Sequence, residues 1–284
     1  MKAAGGDVKG GRQGRAKKRY GNVKRCLDAA AALGALLALS PVFLFAAAGI
    51  RLSSEGPILF RAERMGKGGV PFIMYKFRTM EEGTRTEKGR RKKEAGAEGA
   101  GRKETGHGGR ITSADDPRVF PFGGFLRKAK IDELPQLVNI LKGDMAVIGP
   151  RPEDVSIVKA HYTRRQMHTL DVLPGLAAPG SLFLYTHGEA LLKGSHAEQA
   201  YIERLLPVKL EMDLYYVRHA SLRYDAGLIL RTMAVIAARM CGVKRFGYPA
   251  EYRVVRGCQE KKRQTPEDIQ AYACRKRCQG DKTG

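Results

Sequence analysis

The stretch RKAKIDELPQLVNILKGDMAVIGPRP, residues 127–152, predicts a short helix with a charged first turn. Its apolar residues recur at i, i+3, i+4 and i+7, the spacing of one helical face: Leu134, Leu137, Val138 and Leu141. Pro135 is tolerated in a first helical turn because its missing N–H would have no partner there. Gly143 suits the end of the helix. The pattern therefore places Asp132 and Glu133 at the helix N-terminus.

Two interpretations of Asp132 follow from that position. A carboxylate at a helix N-terminus can act as a cap, because it accepts hydrogen bonds from free backbone N–H groups and complements the helix dipole. The same field also binds phosphate, and three basic residues lie just upstream: Arg127, Lys128 and Lys130. In that setting Asp132 and Glu133 would hold Mg²⁺ on a diphosphate, with one carboxylate attacking phosphorus. Arg151, between two prolines, would be a stiffly presented phosphate ligand.

Three runs of this stretch resemble the bacterial sugar transferases, and more narrowly the monotopic phosphoglycosyl transferases, which load a sugar phosphate onto polyprenyl phosphate. The runs are Leu126-Arg127-x-x-x-Ile131-Asp132-Glu133-Leu134-Pro135-Gln136-Leu137, Leu141-Lys142-Gly143-Asp144-Met145 and Gly149-Pro150-Arg151-Pro152-Glu153. The resemblance implies that Asp132 is the nucleophile and Glu133 its partner, with Mg²⁺ at the pair. It also implies that Arg127 and Arg151 hold phosphates.

The bulk composition restricts the class of partner. The chain has 284 residues, enough for one large domain with tails, and a formal net charge of +22, which calls for an anionic partner. Charge alone does not choose among nucleic acid, anionic lipid and phosphorylated substrates. The five cysteines, an odd number in a long chain, do not fit a secreted disulfide framework and favour a reducing compartment.

The N-terminal region predicts a basic arm followed by a membrane segment. Residues 1–19 are rich in Lys, Arg and Gly, a composition typical of disorder and compatible with contact to anionic lipid. Residues 20–55 contain an uncharged apolar run, Ala29 to Ile50, which is long enough to span a bilayer. A cleavable signal peptide is disfavoured by the lengths of the basic region and of the apolar run.

An ordinary span and a re-entrant helix are the remaining interpretations of residues 20–55. Ser40-Pro41 lies near the centre, where proline removes a backbone hydrogen bond and the serine hydroxyl can bond the freed carbonyl. Basic residues flank both ends: Lys24, Arg25 and Arg51. Because basic flanks prefer the cytoplasm, both ends favour the same side, which a re-entrant helix satisfies and a straight span does not. The family resemblance agrees, since its re-entrant membrane helix carries Ser-Pro at this place.

Two apolar and aromatic runs around a Gly-rich turn, within residues 52–80, predict a β-hairpin. In the second run Lys76 and Arg78 alternate with aromatic residues and share one face, either as a solvated strand face or as phosphate contacts. The run Phe77-Arg78-Thr79-Met80 also resembles the family. Residues 81–110 are crowded with glycine and charged residues, which predicts a flexible insertion.

Residues 56–240 are predicted to form the catalytic domain, and residues 241–284 a polar, basic tail. Within the domain, residues 201–240 have helical periodicity, which fits either a core-facing helix pair or amphipathic helices at a membrane interface. The chain departs from the family pattern in two runs, which leaves the donor sugar open: Ala177-Ala178-Pro179-Gly180 and Thr186-His187-Gly188-Glu189.

The predicted fold is α+β and predominantly helical: a small catalytic domain with a short β-hairpin, an N-terminal re-entrant membrane helix and interfacial amphipathic helices. The resemblance implies a transferase on the cytoplasmic face of the bacterial inner membrane. It would move a phosphosugar from a nucleoside diphosphate sugar, such as a UDP-sugar, to polyprenyl phosphate through a covalent Asp132 intermediate, initiating glycoconjugate or exopolysaccharide assembly.

The expected cofactor is Mg²⁺, and the expected partners are the sugar donor, the polyprenyl phosphate acceptor and anionic membrane lipids, without nucleic acid. The alternative function is a membrane-anchored basic nucleic-acid-binding protein. That alternative has no recognisable DNA- or RNA-binding motif to support it.

Overall fold

A computed structural model describes the backbone of residues 7–81, 116, 118–188 and 197–263, and the side chains of those ranges apart from positions 7–19, 197 and 258–263. Helices dominate and the strands form two small two-stranded sheets, in agreement with the predicted class. The helices are α1 Asp7–Ala38, α2 Ser40–Ser53, α3 Pro121–Lys128, α4 Gln136–Lys142, α5 Val155–His161, α6 Pro179–Phe183, α7 Ala197–Ala200, α8 Leu206–His219, α9 Leu222–Met240 and α10 Ala250–Arg263. The strands are β1 Leu59–Met65, β2 Pro71–Phe77, β3 Ala146–Ile148 and β4 Gly175–Ala177.

The N-terminal helix begins earlier than the composition predicts. α1 starts at Asp7, so residues 7–19 of the predicted disordered arm continue the helix, in a stretch that contains no proline to stop it. Taken one at a time, the described helices lack the combined length and hydropathy of a membrane span. The bent pair Tyr20–Ala38 and Ser40–Ser53, which turns by 62° at the break, has both together.

The break between α1 and α2 has a local chemical cause. Pro41 has no N–H to donate to the carbonyl of Leu37, which would be its partner in an unbroken helix. The hydroxyl of Ser40 donates to that carbonyl instead, at 2.8 Å. The predicted compensation of proline by serine is therefore confirmed.

The predicted β-hairpin is confirmed. β1 and β2 pair antiparallel in a register that runs from Leu59 opposite Phe77 to Met65 opposite Pro71. Two glycines of the connecting turn, within residues 67–69, have φ values of +67° and +77°, a region that glycine adopts without strain. Beyond residue 81, the predicted insertion at 81–110 lies outside the described residues.

The core holds α4 against the hairpin and the N-terminal helix pair. One buried apolar cluster joins α1, the hairpin and α4: Ala32, Ala62, Met74, Leu137, Ile140 and Met145. A second joins α2, β2 and α3: Ala46, Ile50, Phe77, Phe120 and Leu126. Gly49 is required where α2 meets α3, because an added Cβ would lie 2.2 Å from the ring of Phe122. These contacts fix the segment between α3 and α4.

The two helices within residues 201–240 differ in the exposure of their apolar side chains. α8 is a core helix, whereas α9 exposes a row of large apolar side chains: Leu222, Ile229, Leu230, Met233 and Met240. The hydroxyls of Tyr20 and Tyr216 both donate to Asp225 at 2.7 Å, which ties α1 and α8 to α9.

The chain divides into two compact units, one reaching to Phe246 and one from Gly247 onward. The second unit contains α10, inside the predicted tail at 241–284, and Tyr248 stacks on Tyr252 there with ring centroids 4.6 Å apart. Residues 264–284 of the tail lie outside the described residues.

Candidate active site

Asp132 and Glu133 lie in a single 3-10 turn, Ile131–Glu133, between α3 and α4. Lys130 enters the turn with a φ of +59°, a left-handed conformation that lysine rarely adopts. Neither this turn nor α4 has a side-chain capping hydrogen bond. The capping interpretation of Asp132 is therefore wrong, because the helix begins later than predicted, after Pro135. Its predicted end is confirmed, since Gly143 has a φ of +93°.

Glu133 is held by three cationic side chains. Arg151 donates Nη1–H to Oε2 and Nη2–H to Oε1, each at 2.8 Å. The ammonium groups of Lys130 and Lys76 lie 3.5 and 3.7 Å from Oε1. Burial alone would raise the pKa of Glu133, but Arg151, Lys130 and Lys76 together hold it well below its usual range. Glu133 is therefore an ionised carboxylate with both oxygens engaged.

Asp132 is more weakly engaged than its neighbour. Its Oδ2 lies 3.6 Å from the ammonium of Lys76, and its Oδ1 is buried with no hydrogen-bond partner among the described residues. Burial lowers the pKa of Lys76, against the opposing effect of Glu133 and Asp132. Because a buried acceptor without a donor costs free energy, Oδ1 is the atom of this site most suited to a ligand.

Arg127 completes the cationic surround. Its Nε–H donates to Oγ1 of Thr79 at 2.8 Å. Burial lowers the pKa of Arg127, and the nearby charge of Asp132 opposes that shift. Gly123 allows α3 to approach this closely, because an added Cβ would lie 2.4 Å from the carbonyl oxygen of Thr79. Four cations therefore surround two carboxylates, an arrangement that favours an anionic ligand.

Arg78 is not brought to this site. Its guanidinium donates to the carbonyl oxygens of Ser54, Glu55 and Pro57 at 2.9, 2.6 and 2.5 Å, and to the hydroxyl of Ser54 at 2.8 Å. The side chain is buried and fastens the connection between α2 and β1. The prediction that Arg78 and Lys76 act together on phosphate is therefore corrected, since only Lys76 faces Asp132 and Glu133.

Asn139 is a positioning residue that the sequence analysis missed. Its side-chain carbonyl accepts from the backbone N–H of Tyr75 at 3.0 Å, and its amide donates to the carbonyl of Ile73 at 2.7 Å. It thus pairs with the free edge of β2 as a neighbouring strand would. This contact holds β2, which carries Lys76, next to α4 and the turn that carries Asp132. An asparagine in the middle of a helix was the available signal, because that residue is a poor helix former.

Comparison with known proteins agrees with the resemblance of residues 126–153. The family model for bacterial sugar transferases matches residues 19–239. The chain belongs to the bacterial sugar transferase family. Among its relatives, a UDP-N-acetylgalactosamine-undecaprenyl-phosphate N-acetylgalactosaminephosphotransferase of Aeromonas hydrophila is 34% identical over 220 residues, 76% of this chain and 44% of that protein.

Two glucose-1-phosphate transferases are similarly related to this chain. UDP-glucose:undecaprenyl-phosphate glucose-1-phosphate transferases of Xanthomonas campestris and Caulobacter vibrioides are 33% and 34% identical, over 226 and 210 residues. The matches cover 78% and 74% of this chain, and 39% and 68% of those proteins. The chain thus spans less than half the length of the Aeromonas and Xanthomonas relatives.

The donor set of this site fits a metal ion that is held in part by a phosphate ligand. No group of three or more His, Cys, Asp or Glu side chains in the described part of the chain could hold one alone. Mg²⁺ in phosphate sites is held by one or two carboxylates together with phosphate oxygens and water. The free Oδ1 of Asp132 fits that pattern. Glu133 does not fit in this arrangement, because both of its oxygens accept hydrogen bonds from Arg151.

Proposed function

We propose that this sugar transferase moves a phosphosugar from a nucleoside diphosphate sugar to polyprenyl phosphate, as a first step in glycoconjugate or exopolysaccharide assembly. The observation that carries the proposal is the buried Asp132 carboxylate, with one oxygen free and cations on its other sides. The names of the Aeromonas, Xanthomonas and Caulobacter relatives support a UDP-sugar donor and an undecaprenyl phosphate acceptor.

The first step is an attack by a carboxylate oxygen of Asp132 on the β-phosphorus of the donor. A bond forms between the carboxylate oxygen and phosphorus, and the bond from that phosphorus to the bridging oxygen breaks, which releases a nucleoside monophosphate. Arg151 and Arg127 bind the phosphate oxygens and offset the charge that develops on them. Glu133 orients Arg151 through the two parallel hydrogen bonds.

The second step transfers the phosphosugar to the acceptor. A phosphate oxygen of polyprenyl phosphate attacks the same phosphorus, the bond to the Asp132 oxygen breaks, and the carboxylate is regenerated. The product is a polyprenyl diphosphate sugar. Lys76 lies within 4 Å of Asp132 and Glu133, where its ammonium offsets the returning carboxylate charge.

Asp132 and the diphosphate of the donor would hold Mg²⁺ together. When bound there, Mg²⁺ supplies charge neutralisation for the diphosphate. The two carboxylates then have different roles. Asp132 supplies the nucleophilic oxygen, and Glu133 holds Arg151 rather than the metal. This division follows from the engagement of both Glu133 oxygens.

The broken N-terminal helix would enter and leave one leaflet of the inner membrane, so that the site faces the cytoplasm. Support comes from the 62° bend and from large apolar side chains that are exposed on both arms, with Leu37, Leu44 and Leu52 at 70%, 73% and 88%. α9 would lie at the interface, with Leu230 and Met233 exposed at 71% and 62%. Anionic headgroups would bind the basic residues nearby.

The test is the intact mass of detergent-solubilised protein mixed with Mg²⁺ and a panel of nucleoside diphosphate sugars, without acceptor. We expect a mass gain of one phosphosugar with the true donor and none in Asp132→Asn. Asp171→Asn is the matched control, because Asp171 is an exposed carboxylate paired only with His168 in the described structure.

Three outcomes separate the parts of this proposal. An adduct in the wild type and in Asp171→Asn, but not in Asp132→Asn, supports the covalent step and names the donor. Release of nucleoside monophosphate only after polyprenyl phosphate is added, with no adduct, keeps the transfer and removes the covalent step. No product in either arm contradicts the transferase activity.

A further inference from the structure

A second charged cluster lies behind the active site and is built around Lys209. The Lys209 side chain, on α8, is fully buried. Its ammonium lies 2.7 Å from Oε1 of Glu153 and 3.6 Å from Oδ2 of Asp213, one helical turn further along. Gly180 leaves room for this cluster, because an added Cβ would lie 2.6 Å from Cγ of Lys209. One buried cation is therefore shared by a buried carboxylate, Asp213, and a largely buried one, Glu153.

Glu153 is fixed from several sides. Besides Lys209, the hydroxyl of Tyr201 donates to its Oε1 at 2.5 Å, and the backbone N–H of Met65 donates to its carbonyl oxygen at 2.9 Å. Burial alone would raise the pKa of Glu153, but Lys209 and Tyr201 hold it below its usual range. Glu153 therefore stays ionised, although its side chain is only 11% exposed.

Glu153 follows Arg151 by only two residues, with Pro152 between them. Burial alone would lower the pKa of Arg151, but Glu133, then Asp132 and Glu153, raise it. Arg151 therefore interacts electrostatically with two ionised glutamates. Glu133 precedes it in the chain and Glu153 follows it. Its two hydrogen bonds go to Glu133, the residue on the active-site side.

We propose that Lys209 is a positioning residue for Arg151. By neutralising Glu153, Lys209 removes the competing attraction, so that Arg151 is directed to Glu133 and to the diphosphate of the donor. The inference rests on the proposed transfer reaction, in which Arg151 binds donor phosphate. Lys209 itself does not contact the reacting atoms.

The stability of the fold alone does not require that this cluster be charged. A buried ion pair is seldom worth more to a fold than an apolar pair of the same shape, whereas an unpaired buried charge is strongly unfavourable. Without Lys209, Asp213 can lose its charge by taking up a proton, because burial raises its pKa and Lys209 is the first group that opposes that shift. Glu153 would keep its charge, with Arg64 and Arg151 as the remaining cations that interact with it.

The experiment measures the initial rate of phosphosugar-adduct formation against donor concentration, together with Tm, in four variants of the full chain: Lys209→Met, Glu153→Gln, the double variant, and Lys159→Met. Lys159 is an exposed lysine of α5 and makes the matched control. In Lys209→Met we expect the donor concentration for half-maximal rate to rise about tenfold. In the double variant we expect it to return to within about threefold of Glu153→Gln, because the competing charge is gone.

A purely structural role for Lys209 gives a different pattern. It would lower Tm in Lys209→Met and in the double variant alike, with no recovery of donor affinity, and that result would overturn the inference. If the wild type forms no adduct but releases nucleoside monophosphate once polyprenyl phosphate is added, the same four variants are compared by the donor dependence of that release. If it gives neither, the proposed transfer and this inference fall together. An adduct in the wild type without recovery in the double variant removes only the role of Lys209.

Tyr201→Phe keeps the inference testable if Lys209→Met does not fold. The change removes the hydroxyl that donates a hydrogen bond to Glu153 and leaves Lys209 in place. We expect a shift in donor affinity in the same direction but smaller, about threefold, that disappears when Glu153→Gln is added. A Tyr201→Phe protein with wild-type donor affinity would contradict the competition between Glu153 and Glu133 for Arg151.

Discussion

Arg78 and Arg151 are both held by hydrogen bonds within the protein, but by opposite kinds of partner. Arg78, after β2, donates four hydrogen bonds, three of them to backbone carbonyls of the connection before β1. Arg151, after β3, donates its two hydrogen bonds to one carboxylate, that of Glu133. The side chain of Arg151 remains 23% exposed, whereas Arg78 as a whole residue is 3% exposed.

The difference decides what each arginine can do. A backbone carbonyl carries no net negative charge, so an arginine that leaves it for a phosphate does not exchange one anion for another. The carbonyl is then buried without a hydrogen-bond donor. A carboxylate offers the same two-pronged geometry as a phosphate, so an arginine that binds one can bind the other with little rearrangement. Arg151 is thus suited to ligand binding, and Arg78 to holding the chain together.

Arg151→Ala tests the functional side of this comparison and has the largest expected effect. We expect adduct formation to fall by about 10²–10³-fold, the usual cost of removing one preorganised donor to a developing charge. The rate of adduct formation by intact mass is the measurement. Arg165→Ala is the control, because Arg165 is an exposed arginine paired with Glu211 at 2.6 Å. Equal rates in both variants would contradict a role for Arg151 in the reaction.

Arg78→Met tests the structural side. The change leaves several carbonyls without a donor, so we expect the free energy of unfolding to fall by on the order of 3–5 kcal/mol. Tm by thermal unfolding in detergent measures this loss. The rate of adduct formation per folded molecule is expected to stay within about threefold of the wild type. A normal Tm with a lost reaction would instead assign Arg78 to phosphate binding, as the sequence alone suggested.

The sequence could not separate these two arginines, because the difference lies in partners that folding brings together. Local patterns predicted what local contacts decide: the hairpin, the helix end at Gly143 and the break at Ser40-Pro41. The contacts of Asn139 with β2 and of Lys209 with Glu153 join residues more than 50 positions apart. Spacing and periodicity carry no information about such pairs.

The roles of the central motif were predicted in a different way, from the resemblance of residues 126–153 to a family. Residue chemistry alone left two interpretations of Asp132 open, a cap and a phosphate site. Even there, the helix start was misplaced, because a left-handed Lys130 and a 3-10 turn precede it. A backbone conformation that lysine rarely adopts is not readable from residue type.

Asp213→Asn compares the two carboxylates of the Lys209 cluster, Glu153 and Asp213, which share one cation. Burial raises the pKa of Asp213 to about 6, against the opposing effect of Lys209. Because folding favours its protonated form, its contribution to stability is present at low pH and lost as the pH rises through about 6. Asn keeps an oxygen for the backbone N–H of Gly180, which donates to Asp213 at 3.1 Å.

We therefore expect the stability of Asp213→Asn relative to the wild type to rise between pH 5 and pH 7.5, by about 1–1.5 kcal/mol. Tm of both proteins at steps of pH across that range is the measurement. Asp171→Asn, at an exposed carboxylate, is the control and should show no such trend. A constant difference between Asp213→Asn and the wild type would mean that Asp213 does not titrate in this range.

Ser40, like Arg78, donates to a buried or broken part of the backbone, but with a single neutral hydrogen bond. Its hydroxyl donates to the carbonyl of Leu37. Ser40→Ala removes that donor, and we expect a loss of about 0.5–1.5 kcal/mol, seen as a small fall in Tm. Adding Pro41→Ala supplies a backbone N–H that can donate to the same carbonyl. The double variant should therefore recover the stability lost by Ser40→Ala while straightening the 62° bend. If it is less stable than Ser40→Ala, then packing of the bent arms, and not the satisfaction of one carbonyl, holds the break in place.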